Sequence, residues 1–229
     1  MRKFYISANL MMDLDGSQAW MNNQKLATQN QVVTDSSLAG RNGKFYIPFQ
    51  NVGVALASAN PLPGGVLQAV PFRVTAKIRV TDAAVYLLSG GTVGTTKFRF
   101  GLFETDPLSA EMLPGALDWQ SMEITVTATN ALYQVNGFSL DLEAGLYYFV
   151  IWCDATAGKN GLVFRGLPYY AQKVLLGFPS VTAGQSITHL EKPLTYLATG
   201  FPTIFPAGAT AQANVNQVSP ALFLRSTSL

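Results

Sequence analysis

From about residue 66 to the C-terminus, apolar side chains recur at every second position in short runs. Gly, Pro, Asn or Asp separates the runs, the signature of strands joined by turns. "FRVTAKIRV" (72–80) places Val74, Ala76, Ile78 and Val80 on one face of a single strand. "TKFRFGLFE" (96–104) does the same with Phe98, Phe100 and Leu102, "MEITVTATN" (122–130) with Ile124 and Val126, and "FSLDL" (138–142) with Phe138, Leu140 and Leu142. "GLYYFVIWCDA" (145–155) is apolar at consecutive positions, which predicts a central strand covered on both faces. "NGLVFRG", "KVLLGF" and "SPALFLRS" complete the set. No window of ten or more residues keeps the period of about 3.6 that an amphipathic helix needs. The pattern predicts an all-β fold, a β-sandwich or a barrel, and of the two an antiparallel sandwich over 66–229 is expected. Phe100, Leu102, Leu140, Leu142, Tyr148, Val150, Trp152 and Leu222 are expected to pack between its sheets.

Residues 1–60 differ. "SQAWMNNQKLATQNQVVTDSSLAG" (17–40) is rich in Asn, Gln, Ser and Ala and poor in large aliphatics. It reads as an extended N-terminal arm with short strands, one of them near 44–49 ("KFYIPF"), that cannot bury enough surface to fold alone. "NPLPGGV" (60–66) punctuates the boundary with two Pro and two Gly. Within the sandwich, Gly101 predicts a bulge or a close backbone approach. Gly145 predicts a tight turn with positive φ before the central strand.

Composition adds one constraint. Of the 229 residues, 48% are hydrophobic and only 12% charged, about half the ~25% of ordinary soluble domains. A surface so poor in ionic groups is expected to be covered by other chains, the alternative being a surface built from Ser, Thr, Asn and Gln. A formal net charge of +2, without any block of Lys and Arg, argues against nucleic acid. No apolar run approaches the ~18 residues of a membrane span, so no membrane insertion is expected. The N-terminus lacks the apolar core of a signal peptide and reads as mature protein. The single cysteine, Cys153, lies in an apolar run, excludes an internal disulfide and reads as a buried thiol.

The order of several short motifs adds a family. Pro71–Phe72 opens one strand, and Arg99, Gly101 and Phe103 mark the next. Pro114–Gly115 follows an acidic loop, and Leu142, Ala144, Gly145, Tyr147 and Tyr148 lead into the central run. Phe201, Pro202 and Pro206 form a late loop before Leu224–Arg225. Over 66–229 this series resembles a recurring module of tailed-bacteriophage virion proteins. The resemblance implies a jelly-roll-like sandwich in a fibre-like tail or head appendage, made in the bacterial host cytoplasm and carried in the virion. It further implies assembly with copies of itself, as a trimer. The arm at 1–60 matches no motif of that family and is expected to dock onto other virion proteins or to support oligomerisation.

Candidate chemistry is sparse. One His and one Cys cannot supply a typical zinc site. "DLDG" (13–16) opens like a calcium loop but lacks the closing Glu. His189 has no nucleophile elbow before it and reads as a polar loop residue. Glu104 with Asp106, and Glu111 with Asp118, are close in sequence, but a glycosidase needs a set separation and one raised pKa; they read as solvated loops. No enzyme activity, cofactor or metal is expected. Trp119, Tyr169, Tyr170 and Tyr196 fall in or beside loops and are the candidate glycan or interface contacts. The sequence therefore points to a virion structural subunit that contributes to host attachment, with a receptor-binding module for bacterial surface glycan as the alternative.

Overall fold

The structure is a computed structural model. It describes strands at 3–7, 10–13, 18–21 and 24–28, residues 45 and 47, and then 56–109, 112–154, 161–168, 176, 187–212 and 218–228. No helix occurs among the described residues, and so none is long and apolar enough to cross a membrane.

β1 (Lys3–Ser7), β2 (Leu10–Asp13), β3 (Gln18–Met21) and β4 (Gln24–Thr28) form an antiparallel meander in that order. The beginning of the expected arm is thus a small sheet of its own. Of the strand expected at 44–49, Phe45 and Ile47 lie outside any strand, and the other four positions lie outside the described residues.

Two larger antiparallel sheets make the sandwich. The first runs β10 (Ile124–Thr125), β8 (Lys97–Thr105), β12 (Gly145–Cys153), β6 (Val66–Val74), β14 (His189–Pro193), β15 (Thr210–Gln212), with β9 (Pro114–Gln120) also paired to β8. The second runs β11 (Ala131–Leu142), β7 (Ile78–Ser89), β13 (Val163–Pro168), β16 (Val218–Pro220). In it β17 (Phe223–Ser228) also pairs with β7, and β5 (Ala57–Ser58) with β13. The chain passes repeatedly from one sheet to the other.

That crossing corrects one expectation. "FRVTAKIRV" is two strands, because β6 ends at Val74 in the first sheet and β7 starts at Ile78 in the second. Ala76 is exposed in the crossing; alternation in a sequence does not register a change of sheet. A second feature is a change of phase. β7 buries Ile78 and Val80, then Ala83, Val85 and Leu87. Opposite it the register with β11 shifts between Asn136 and Leu140, where Gly137 takes φ 73°. The positive φ suits a residue without Cβ. The resulting bulge moves the inward set of β11 from Tyr133 and Val135 to Phe138, Leu140 and Leu142, in step with β7.

The central strand is as expected, with β12 between β6 and β8 and buried on both faces. Its two faces feed different clusters. Phe149, Ile151 and Cys153 join Phe72, Phe98, Phe100, Leu102, Leu142, Phe164, Leu222 and others between the sheets. Phe98 and Phe164 meet edge-on across the gap with centroids 5.5 Å apart. Tyr148, Val150 and Trp152 lie on the opposite face in a second cluster with Leu67, Ala69, Phe103, Leu190, Phe201 and Phe205. Their placement between the sheets is therefore corrected: they are buried, but on the outer face of the first sheet, because alternation along β12 points 148, 150 and 152 away from 149, 151 and 153. Leu140 is only partly buried against the first cluster. Of "KVLLGF", only Leu176 is described, and it packs on the second cluster.

A strap, residues 194–206, closes the second cluster. Trp152 Nε1 donates to Leu194 O at 3.1 Å, Leu117 N to Thr203 O at 2.9 Å and Phe205 N to Gly115 O at 2.8 Å. Phe103 meets both Phe201 and Phe205 edge-on at 5.7 and 5.6 Å. Gly101 makes this closeness feasible: a Cβ there would stand 2.6 Å from Trp119 O and 3.1 Å from the Phe201 ring. The expected close approach is present, with a register shift between Leu102 and Phe103 beside it. Gly145, by contrast, is not among the glycines with positive φ. It starts β12 in ordinary backbone geometry, opposite Val74.

Candidate functional site

Trp119 sits near the end of β9, opposite Leu102. Its ring stacks on Phe138 with centroids 4.3 Å apart and planes 16° from parallel, and leans on Phe100. It is a half-buried member of the cluster between the sheets. Phe103 of β8 opposes Leu117, which leaves Asp118 as the extra residue of a bulge. Burial, and then the nearby Glu104 carboxylate, raise the Asp118 pKa. Tyr147, opposite Glu104 on β12, is raised as well, by burial first and then by Asp118 and Glu104. Its hydroxyl donates to Glu143 O at 3.2 Å. The structure thus brings Asp118 near enough to Glu104 for their charges to interact, a combination that neither expected acidic pair contained. The two are 14 positions apart, and only the β8–β9 pairing brings them together.

Tyr196 belongs to the strap and packs on the opposite cluster, 4.9 Å from Trp152. Its hydroxyl donates to Glu123 Oε2 at 3.1 Å and accepts from Arg99 Nε at 3.4 Å. Burial pushes its pKa up to about 12. Arg99 is itself buried and donates through Nη2 to Ala198 O at 2.6 Å. Glu123 also pairs with Lys97 at 2.5 Å. The Lys97 hydrogen bond, with help from Tyr196, holds the Glu123 carboxyl below its usual range against the opposing effect of burial. Lys97, Arg99, Glu123 and Tyr196 together fasten the strap to β8. Trp119 and Tyr196, both candidate contacts, consequently serve different clusters and do not form one surface. Tyr169 and Tyr170 lie outside the described residues.

His189 departs most from expectation. It opens β14 and is 1% exposed. Nδ1 is within hydrogen-bonding distance of Thr188 Oγ1 (2.9 Å) and of Ser219 Oγ (3.2 Å). Nε2 is near Gln68 Nε2 (3.0 Å) and Glu191 Oε1 (3.3 Å). His189, then Gln68, draw the Glu191 carboxyl below its usual range, opposed by burial. Ser219 lies on β16 of the other sheet, so the ring links the two sheets. A serine, an imidazole and a carboxylate in contact are the components of a nucleophilic triad. Here both Ser219 and His189 are sealed from solvent, so the set holds strands together and offers no entry for a substrate.

Among the described residues, no group of three His, Cys, Asp or Glu side chains is placed to hold a metal ion. Cys153 is buried as expected, near Leu62 O and Pro63 O at 3.6 Å each. No protein-family model matches the chain, and no curated protein matches it.

Proposed function

We propose that this protein is a structural subunit of a bacteriophage virion, part of a fibre-like tail or head appendage, and that it assembles as a homotrimer. The observation that supports the reading is where the motif residues fall. Phe103, Tyr148 and Phe201, from three separate motifs, meet in one aromatic layer on the outer face of the first sheet. Gly101 lets the strap bearing Phe201 and Pro202 close over it. Three of the motifs thus contribute to one packed layer, while Phe72, Leu142, Tyr147 and Leu224 of the series lie in the cluster between the sheets. In this reading the segment 1–60 docks onto neighbouring virion proteins.

The test is to express a tagged chain during infection of a susceptible host and to look for it in gradient-purified particles. Incorporation of the full chain, and its loss from a variant lacking 1–60 whose sandwich still folds, is the expected result. Absence of the full chain from particles would overturn the proposal.

A second reading, recognition of bacterial surface glycan, draws on the half-buried Trp119 ring and the adjacent Asp118–Glu104 pair. An aromatic face accepts the C–H face of a sugar while carboxylates accept its hydroxyls. A glycan array that shows binding by the parent and none by Trp119→Ala would establish it.

A further inference from the structure

Among the described residues seven large hydrophobic side chains stand exposed. Five of them, Leu108, Met112, Met122, Leu197 and Ile204, belong to segments that hydrogen-bond to one another along β9. Leu108, at 93% exposure, and Met112 lie in the loop before β9, and Met122, at 86%, in the turn after it. Ile204, at 68%, and Leu197 lie on the strap beside it. Ile204 forms a bridge with Ala116 in the middle of β9, next to the Leu117–Thr203 and Phe205–Gly115 bonds. Towards the far end, Phe201 N donates to Gln120 Oε1 and Tyr196 reaches Glu123, the neighbour of Met122. A strand of this length runs about 20 Å, so the five side chains follow one edge of the molecule. Together they present on the order of 500 Å² of apolar surface, near the top of what an ordinary monomer leaves open.

We propose that this edge is where copies of this chain meet. The inference rests on the self-assembly in the proposed function and names the surface that carries it. Three observations select a second copy as the occupant. Two such edges bury roughly 1,000 Å² before the surrounding polar atoms are counted, close to the threshold for a specific interface. Lys97 and Arg99, the cations on the adjoining β8, are engaged with Glu123, and Asp106, in the loop of Leu108, accepts from the Leu108 amide, so what the edge offers a partner is mainly apolar. With 12% charged residues, the chain is poor in the ionic surface that keeps a molecule solitary. In a trimer the threefold axis brings the same edge of every copy together at the centre, so no further sequence feature is needed.

The experiment is native mass spectrometry with light scattering on the full chain at micromolar concentration, at low and high salt. Three proteins are compared: the parent, the edge variant Met122→Lys/Ile204→Lys, and the control variant Val93→Lys/Leu132→Lys, which alters the other two exposed hydrophobics. The parent and the control are expected to assemble at both salt concentrations. The edge variant should associate roughly 100-fold more weakly, about tenfold for each interface side chain. If the edge variant assembles like the parent, the edge is not the interface and self-assembly stands. If the parent is a monomer at both salt concentrations, or assembles only with another protein, self-assembly fails and the edge proposal with it. Should the edge variant melt below the parent, Leu108→Lys replaces it, since that side chain is almost wholly in solvent, and the same outcomes decide.

Discussion

The two buried clusters lie on opposite faces of the same strands, yet they are built differently. The cluster between the sheets is closed from both sides by regular strands and is mostly aliphatic and phenylalanine, with Tyr133 and Tyr147 as its hydroxyl-bearing members. The cluster on the outer face is closed by a strap with almost no strand character. Aromatic side chains dominate it, and several also serve backbone groups: Trp152 donates to Leu194 O and Tyr148 to Met112 O. A strap leaves carbonyls and amides that no sheet ladder satisfies, and buried groups of that kind need partners. Tyr and Trp fill the space and supply those partners at once. Both clusters combine shape with hydrogen bonding: in the first, Tyr133 serves the segment between β10 and β11, and in the second, Trp152 and Tyr148 serve the segments that cover the core.

The largest effects should come from removing a ring from either cluster. Phe100→Ala and Trp152→Ala should each cost about 3–5 kcal/mol, read from the denaturant midpoint. Amide exchange should separate the two. Phe100→Ala should speed exchange in β7 and β8 together, because the sheets lose their common filling. Trp152→Ala should first expose the amides of Phe201 and Phe205, which the strap donates to Gln120 and Gly115. An unchanged midpoint in Trp152→Ala would show that the residue is not core, and uniform acceleration in both variants would abolish the distinction between the clusters.

A smaller effect is expected at Gly101, where the strap, β9 and β8 converge. A methyl group there meets backbone on one side and the Phe201 ring on the other. Overpacking of that kind costs about 1–3 kcal/mol. The loss should appear as loosening of the strap, read from the near-ultraviolet signal of Trp152, while the cluster between the sheets stays intact. A fully stable Gly101→Ala with unchanged spectra would mean that the strap does not rest on β8 as described.

These differences also explain what the sequence discloses. β12 was legible because nine consecutive residues without a polar face can only be a strand covered twice, and β8 because Phe98, Phe100 and Leu102 alternate without interruption. The strap was not, since "LTYLATGFPTIFP" has no period, and Pro202 and Pro206 mark it as a loop whether or not it covers a core. His189 was misread for a related reason. In "THLEKP" the apolar Leu190 faces the outer cluster, and the polar His189 and Glu191 share the inward face with Gln68. Period-two reasoning assigns a polar face to water; this one meets Ser219 of the other sheet instead. The proximity of Asp118 and Glu104 depended on a bulge in β9: Gly101 signals an irregularity in β8, but no local pattern says which residue of the partner strand is displaced. The β7–β11 phase change was partly visible, since Asn136–Gly137 is a turn signal inside a strand run.

The smallest expected effect is alkaline and again separates the clusters. Tyr196 sits under the strap with its pKa pushed from 10.0 up to about 12, chiefly by burial. Burial pushes Tyr148, in the same cluster, higher still. In the unfolded chain both phenols ionise near 10. A group whose folded pKa lies above its unfolded value holds its proton more tightly in the folded state. Its contribution to stability is complete below pH 10 and declines as pH rises from 10 through about 12. The strap should therefore loosen across that window. Tyr147 of the other cluster is also raised, by burial and then by Asp118 and Glu104, so the parent alone does not separate the two. Tyr196→Phe does: it removes one ionisable group from beneath the strap and leaves Tyr147 untouched. The variant should lose the Glu123 hydrogen bond and a little stability at neutral pH, and its denaturant midpoint should fall less steeply than that of the parent between pH 10 and 12. Parallel slopes in parent and variant would show that the Tyr196 hydroxyl is already open to solvent. Tyr196 would then help close the second cluster by its ring alone.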